Sequence, residues 1–327
     1  MTTFLDFEKP IAELQTRIDE LRQTAEGGAV DIDAEIAPLQ AKAEKLLRDT
    51  YARLTPWQKT QVARHPERPH FKHYVAGLIE EFMPLGGDRA FADDNAIQGG
   101  LGRFRGRRVM VIGHEKGDDT VTRLRHNFGM GKPEGYRKAI RLMQLAEKFH
   151  LPVVILIDTP GAYPGVGAEE RGQAQAIAAN LRDMIKLKTP LIATVIGEGG
   201  SGGALGIGVA DRVCILQNAY YSVISPEGCA SILWRNSIKA PEAAKALKLT
   251  GEHLIKFGVV DEIIPEPPGG AHRDPESVIH HLKKVILKYI KELSALSTDD
   301  LLKARYEKFR KIGEFSVDPD ISPISLS

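Results

Sequence analysis

A glycine-rich segment that follows an apolar run is the feature that most constrains how this chain can fold. Residues 191–208 read LIATVIGEGGSGGALGIG, and the largely β-branched first six predict a buried strand. Five of the next seven residues are glycine, and the small residues from Gly202 onward predict a closely packed helix. Backbone N–H groups at such a bend lie open to a ligand, because no side chain covers them. The segment therefore predicts a site where amides stabilise negative charge on an oxygen.

Two further interpretations of the same glycines stay open. Residues 197–202 match the G-x-G-x-x-G fingerprint of dinucleotide-binding proteins, which needs an acidic residue about 20 positions later. That position is Ser222, in a Tyr/Ser/Val run, so the acid that binds the ribose is missing. The plainer interpretation is that the glycines only let a helix pack closely on a strand and bind nothing.

A serine hydrolase is the third alternative. Residues 199–203 match the G-x-S-x-G elbow, which places a nucleophilic serine, here Ser201, between a strand and a helix. Such a nucleophile needs a base and a group that orients the base. Asp261 with His253 or His272 are the available partners, but their spacing is not persuasive.

Composition and hydropathy exclude several classes of protein. The 327 residues are 43% apolar, so the chain can bury a large core. Its net charge is only +1, so it has no strong overall positive potential that would attract nucleic acid. The N-terminal sequence MTTFLDFEKP lacks the apolar stretch of a signal peptide. No segment is apolar over the roughly 18 residues that a membrane span needs. We therefore expect a cytoplasmic protein.

No metal site is predicted in this chain. Its two cysteines, Cys214 and Cys229, cannot form a four-cysteine zinc site, and so few thiols are typical of a reducing compartment. His65, His70 and His73 lie close together, but two prolines interrupt any regular ligand spacing and no carboxylate pattern accompanies them. We expect that segment to be an ordered connection.

The pattern of apolar runs predicts three regions: an N-terminal helical region at 1–90, an α/β domain at 91–270, and C-terminal helices with a tail at 271–327. Strand-like runs alternate with helical stretches through the central region, which is typical of an α/β domain. The predicted strands are 108–114, 152–160, 191–197, 212–217, 220–225 and 259–265, and the main predicted helices are 133–150, 168–187 and 202–210.

The N-terminal region has its own pattern. Two apolar stripes with helical spacing in residues 4–50, separated by Gly27-Gly28, predict a helical hairpin. Residues 51–106 suggest short helices and loops. The run GGLGRFRGRR at 99–108 is basic and rich in glycine, so we expect a solvated hairpin there, with contact to a phosphate-bearing partner as the alternative.

A second predicted strand also ends in a glycine-containing loop. The strand at 152–160 leads into DTPGAYPGVGAEERG at 158–172, where prolines and glycines fix a wide loop before a helix. Two such strand–loop–helix units suggest neighbouring layers of one repeating structure. Their two loops can then each supply an amide to the same oxygen.

Six longer motifs carry a resemblance to a known family: IDTPGAYPGVGAEERGQ, TVIGEGGSGGALGIGVADRV, YSVISPEGCASILW, IIPEPPGGAHRDP, FLDFEKPIAEL and FGMGKPEGYRKAIRLMQLAEKF. They resemble the α subunits of bacterial acetyl-CoA carboxylase carboxyltransferases, over essentially the whole chain and with no departure inside the motifs. The resemblance implies an α/β fold of the crotonase type, a spiral of β-β-α units, with the N-terminal helical hairpin and the C-terminal helices attached.

The same resemblance implies a reaction and a set of partners. The carboxyl group of carboxybiotin, delivered on a biotin carboxyl carrier protein that a biotin carboxylase charges, is transferred to acetyl-CoA to give malonyl-CoA, the first committed step of fatty acid biosynthesis. It implies an α2β2 heterotetramer whose β subunit carries a zinc ribbon, so that zinc is expected on the partner. A subunit that serves only as a scaffold, with all chemistry on its partner, is the non-enzymatic alternative.

The resemblance also assigns roles to residues. It implies that the N–H groups of Gly202 and Gly203 face the biotin oxygen, while Gly161 and Ala162 shape the other side of the site. The acetyl thioester's own oxyanion hole would belong to the β subunit. Further expected contacts with substrate are Pro160, Gly199, Gly200 and Ser201, and the candidates for coenzyme A phosphates are Arg123, Arg125, Lys132 and Arg137, for which a solvated face is the alternative.

Overall fold

A mixed β-sheet forms the centre of the molecule. We describe it from a computed structural model, which covers residues 3–25 and 33–313; the expected break at Gly27-Gly28 and the C-terminal tail lie outside the described residues. The strands are β1 Glu80–Pro84, β2 Ile97–Phe104, β3 Arg107–His114, β4 Val153–Thr159, β5 Leu191–Gly200, β6 Arg212–Leu216, β7 Tyr220–Ser222 and β8 Glu262–Ile264.

The strands are arranged in the order β1-β2-β3-β4-β5-β6-β8, and β7 pairs with the end of β5. The β1–β2 and β2–β3 pairs are antiparallel, and the pairs from β3 to β8 are parallel. Every residue of β4 and β5 is buried, as expected for central strands covered on both faces. The carboxyl ends of β3, β4 and β5 therefore meet at one edge of the sheet, and the loops that follow them lie side by side.

Helices cover the sheet and extend from it. Among the described residues they are α1 Lys9–Ala25, α2 Asp33–Tyr51, α3 Pro56–Ala63, α4 Phe71–Leu78, α5 Thr120–Arg125, α6 Pro133–Lys148, α7 Val166–Glu170, α8 Gln173–Met184, α9 Ser201–Leu205, α10 Pro226–Trp234, α11 Ala240–Leu247, α12 Gly251–Lys256, α13 Pro275–Ser294 and α14 Thr298–Arg310. None of the helices so described has the length and apolar composition to cross a membrane.

The structure corrects two sequence-based expectations. Residues 51–106 are not only short helices and loops, because β1 and β2 lie among them. The basic run at 99–108 is a hairpin as expected, with a two-residue turn at Arg105 and Gly106 (φ +52° and +77°), yet its glycines line buried strand β2. The helix expected at 168–187 is two helices, since Gly172 adopts a left-handed conformation (φ +79°) between α7 and α8.

The terminal helices are attached by buried charged groups. Ile18 of α1 packs with Ile36 of α2 in a small apolar cluster separate from the main core. Buried Glu8, at the start of α1, accepts hydrogen bonds from the Tyr51 hydroxyl at 3.0 Å and from the Arg273 guanidinium at 2.9 Å. The last helix, α14, inserts the fully buried Arg305 under the sheet.

Candidate active site

Two backbone bends touch at the carboxyl edge of the sheet. The β4 bend, residues 160–162, follows β4, and the β5 bend, residues 199–203, joins β5 to α9. A Cβ atom on Gly200 would lie 2.2 Å from the Pro160 carbonyl oxygen, and one on Gly203 would lie 2.4 Å from the Gly161 carbonyl carbon. Such distances are far below van der Waals contact, so only glycine lets the two backbones approach this closely.

The amides at the start of α9, in the β5 bend, have no hydrogen-bond partner within that helix. Ser201, Gly202 and Gly203 are the first three residues of α9, and Gly200 before them supplies no side-chain cap. Gly202 is partly exposed, and the nearest atom to a Cβ built on it is the Ile177 Cδ1 at 3.7 Å. This end of the helix is therefore open enough for an oxygen to approach its N–H groups.

The β4 bend is held by its own threonine. The Thr159 hydroxyl accepts from the Gly161 N–H at 3.1 Å and donates to the Gly161 carbonyl at 2.8 Å. The Gly161 amide is thus engaged within the turn, while Gly161 and Ala162 pack against Gly203. Together the two bends form one rigid wall whose exposed positions are Pro160 and Ser201.

A cluster of buried ions lies directly behind the bends. The Lys116 ammonium lies 2.7 Å from one oxygen of Asp158 and 2.7 Å from one oxygen of Glu198. The second Glu198 oxygen accepts from the Arg64 Nε at 2.7 Å and from the Tyr220 hydroxyl at 2.7 Å. Each of the three strands β3, β4 and β5 thus contributes, at or just beyond its carboxyl end, one charged side chain to a single network.

Mutual attraction keeps these groups ionised despite their burial. Burial alone would raise the pKa of Asp158, but the neighbouring Lys116 ammonium and His70 hold that pKa well below its usual range. The pKa of Glu198 is lowered in the same way by Lys116 and Arg64, against the effect of burial. The two carboxylates in turn raise the pKa of Lys116, although burial favours its neutral form. None of the three is suited to exchange protons near neutral pH.

A cavity of about 300 Å³ opens beside the β4 bend. Four residues of its lining belong to the ion cluster or contact it: Arg64, His70, Lys116 and Glu198. Two others, Arg123 and Pro160, were expected from the sequence to contact substrate. The cavity is large enough for a small bicyclic molecule, and both basic and acidic side chains line it.

The four basic residues proposed from the sequence lie in different settings. Arg123 lines the cavity and donates to the Pro66 carbonyl at 3.3 Å, and Arg125 is exposed on the same helix, α5. The Lys132 ammonium lies 5.8 Å from the centre of the Tyr163 ring, beyond the β4 bend. The Arg137 guanidinium is paired with Asp88 at 2.8 Å and donates to the Arg171 carbonyl at 3.1 Å.

The partners that a serine hydrolase would need are engaged elsewhere. Ser201 adopts a left-handed conformation (φ +52°), as a nucleophile elbow does, and is exposed. However, His253 hydrogen-bonds Thr250 at 2.9 Å, and His272 stacks on another histidine ring with its pKa lowered to about 3 by burial. Asp261 pairs with Lys308 of α14. The structure therefore shows no catalytic triad at Ser201.

The other two alternatives are also tested by the geometry. The strand after the glycines, β6, ends at Leu216, and the next one, β7, ends at Ser222, so neither ends in the acid that a dinucleotide ribose needs. Within residues 3–25 and 33–313, no three His, Cys, Asp or Glu side chains are grouped so that they could hold a metal ion. The glycines do serve close packing, and Gly202, where a built Cβ has no atom nearer than 3.7 Å, is the one in the β5 bend that packing does not require.

Sequence analysis missed the ion cluster. Glu198, near the end of β5, is the one charged residue in a run otherwise made of glycine and serine (residues 197–203), and that isolation was an available signal. Lys116 follows the predicted strand at 108–114, and carboxyl ends of neighbouring parallel strands meet at one edge. Arg64 and His70 could not have been assigned, because they reach the site from α3 and the N-terminal end of α4.

Solved structures define the class to which this architecture belongs. The transcarboxylase 12S subunit matches with a TM-score of 0.52 at 21% identity, covering 65% of this chain and 41% of that chain. The β subunit of Pseudomonas aeruginosa geranyl-CoA carboxylase matches with a TM-score of 0.52 at 16% identity, covering 81% and 48%. The chain thus shares the α/β fold of these structures, the crotonase-like fold that the resemblance implied.

Sequence comparison then identifies the family. A family model described as "Acetyl co-enzyme A carboxylase carboxyltransferase-like" matches residues 4–313. Acetyl-coenzyme A carboxylase carboxyl transferase subunit alpha from Rhizorhabdus wittichii is 62% identical over 313 residues, which are 96% of this chain and 100% of that protein. The homologue from Zymomonas mobilis is 59% identical over the same share of each chain. The chain belongs to the family of acetyl-CoA carboxylase carboxyltransferase α subunits, and the resemblance seen in the sequence is confirmed.

Proposed function

We propose that the β5 bend is the surface on which this α subunit takes the carboxyl group from carboxybiotin. The observation that carries the proposal is the set of uncapped N–H groups at the start of α9, held against the β4 bend with no side chain between. In this arrangement the amides of Gly202 and Gly203 face the ureido oxygen of the biotin ring. Gly161 and Ala162 fix where those amides lie.

The bend would act by stabilising charge. When the bond between the ureido nitrogen and the carboxyl carbon breaks, its electron pair stays with the ring, and negative charge develops on the ureido oxygen. Amide donors about 3 Å from that oxygen stabilise the charge, and the loss of one donor typically costs on the order of a hundredfold in rate. The carboxyl group leaves as carbon dioxide. The ureido nitrogen then accepts a proton from the acetyl methyl group, and the resulting carbanion adds to the carbon of that carbon dioxide to give the carboxylate of malonyl-CoA.

No side-chain base of this chain is needed for that sequence. The charged groups behind the bends form ion pairs that keep them ionised, and His253 and His272, the two histidines considered as partners of Ser201, make their contacts elsewhere. The chain's contribution is therefore to bind and orient the ring and to present fixed dipoles to it. These roles can be performed by a site whose polar groups belong to the backbone rather than to titratable side chains.

Our proposal for the partners of this chain rests on its membership of the family. We propose that the chain works in an α2β2 heterotetramer in which the β subunit carries a zinc ribbon and supplies the oxyanion hole for the acetyl thioester. Both cysteines of this chain are free and buried, so neither is available for such a zinc site. Carboxybiotin would arrive on a biotin carboxyl carrier protein charged by a biotin carboxylase. Arg123, Arg125 and Lys132 are the basic groups near the site that we propose for coenzyme A phosphates.

Reconstitution tests the proposal. The full chain is combined with its β subunit, and malonyl-CoA formation from acetyl-CoA is followed with carboxybiotin as donor. We expect turnover only when both subunits are present, and we expect Gly203→Val to abolish it while the two subunits still co-purify. Full turnover by the β subunit alone would support the scaffold alternative and overturn our assignment.

A further inference from the structure

Strands β4 and β5 lose their register immediately before the two bends. Ile157 pairs with Val195, but the next pair is Thr159 with Gly199, so two steps along β4 correspond to four steps along β5. The extra length is a bulge in β5, and bulges next to active sites change the direction in which a strand continues. Here the bulge determines where the β5 bend lies relative to the β4 bend.

Buried charged side chains satisfy the backbone groups that the bulge displaces. The Glu198 N–H donates to an Asp158 carboxylate oxygen at 2.9 Å. The Ile196 carbonyl accepts from the Arg68 Nε at 2.8 Å, and Arg68 is itself fully buried. A Cβ atom on Gly197 would lie 2.6 Å from the Asp158 carboxylate, so the carboxylate occupies the space that a side chain would take. The bulge is thus built around Asp158.

Lys116 links the bulge to the third strand. Its ammonium lies between Asp158, which ends β4, and Glu198, which lies inside the bulge, at 2.7 Å from each. Without that cation, two carboxylates of the same charge would face each other in a buried site. They would repel, and the strand ends that carry them are the ends that lead into the two bends.

We propose that Lys116, Asp158 and Glu198 are positioning residues, whose ion cluster sets the separation of the two bends and so the placement of the amides during carboxyl transfer. This inference rests on the proposed function of the bends. None of the three side chains needs to touch the reacting atoms. Their effect is transmitted through the three to five residues of backbone that separate Asp158 from Gly161 and Glu198 from Gly202 and Gly203.

The first test is Lys116→Met in the reconstituted α/β enzyme. Displacing catalytic groups by about 1 Å can cost on the order of a hundredfold in rate, so we expect a loss of that order in kcat. The KM values for acetyl-CoA and for the biotin substrate should change by less than about twofold, because binding surfaces other than the bends are kept. Lys288→Met is the matched control, since Lys288 forms a 2.7 Å ion pair with Glu262 at the far side of the sheet and should leave both parameters unchanged.

Restoring the charge balance tests the mechanism directly. The double variant Lys116→Met with Glu198→Gln removes one carboxylate together with the cation, and the introduced amide can donate to Asp158. We expect it to recover at least about tenfold in kcat over Lys116→Met alone, since one buried carboxylate then remains in place of an opposed pair, while Arg64 keeps its ion pair with Glu227 at 2.6 Å. Should Lys116→Met fail to fold, Lys116→Arg keeps the charge with a different reach and should fold, with lowered kcat and unchanged KM.

The outcomes separate this inference from the proposed function. Wild-type kcat in both Lys116 variants, or no recovery in the double variant, overturns the positioning role. A raised KM for the biotin substrate with unchanged kcat would make Lys116 a ligand contact instead. Gly203→Ala is measured in parallel: if that variant is inactive while the Lys116 variants are normal, only the positioning role is wrong. If it is fully active, the proposed function of the bends is wrong.

Discussion

Substituting alanine for Gly203 should separate the two bends with the smallest possible change. The added Cβ would lie 2.4 Å from the Gly161 carbonyl carbon and 2.5 Å from the Ala162 nitrogen, whereas ordinary contacts begin at 3.4 Å. Both atoms are backbone, so the bends must move apart by about 1 Å, a displacement that can cost on the order of a hundredfold in rate. That loss corresponds to about 2.7 kcal/mol of transition-state stabilisation.

The measurement is kcat for malonyl-CoA formation by the reconstituted enzyme, with one matched control. Gly99→Ala places a Cβ 2.5 Å from Leu142 in the core of the sheet, and should lower stability while leaving kcat of the folded enzyme intact. A wild-type kcat for Gly203→Ala would refute the argument from backbone contact.

Three further predictions concern single side chains. Ser201→Gly should raise the free energy of unfolding by about 1 kcal/mol, because glycine adopts the left-handed conformation of this position without strain. The variant should also keep its turnover, whereas an enzyme that used Ser201 as nucleophile would lose it. Although burial opposes ionisation, neighbouring cations lower the pKa values of Asp158 and Glu266, so stability should be constant near neutral pH and fall below about pH 4 in urea titrations. Arg305→Met should cost about 3–5 kcal/mol, because it leaves buried Asp211 unpaired.

The sheet was predictable where its strands are apolar on both faces. β4 and β5 consist of continuous apolar runs, and each was predicted within three residues of its observed bounds. β1 was missed because it is mostly exposed. β2 was anticipated only as one arm of the hairpin at 99–108, because its glycines give neither an apolar run nor a regular alternation. The left-handed Gly172, which divides α7 from α8, was likewise invisible to helical periodicity.

The candidate site was predictable where local sequence decides it. Glycines after buried strands indicated both bends, because a missing side chain has the same consequence in any surroundings. The ion cluster depends instead on distant pairings, such as that of Arg64, in the segment after α3, with Glu198, inside the β5 bulge. Such contacts are set by tertiary packing, and no spacing along the chain encodes them. The different settings of the four basic residues proposed for coenzyme A could not be predicted for the same reason. Only the structure reveals, for example, that Arg137 is paired with Asp88.

The most direct test of the account is the structure of the α/β complex with a biotin ester bound. We predict the ureido oxygen within hydrogen-bonding distance, about 2.7–3.1 Å, of the Gly202 and Gly203 nitrogens, with the ring beside the β4 bend. A biotin ring bound elsewhere, or at the bends with its oxygen turned away from both nitrogens, would contradict the central claim that these amides stabilise the charge formed during transfer.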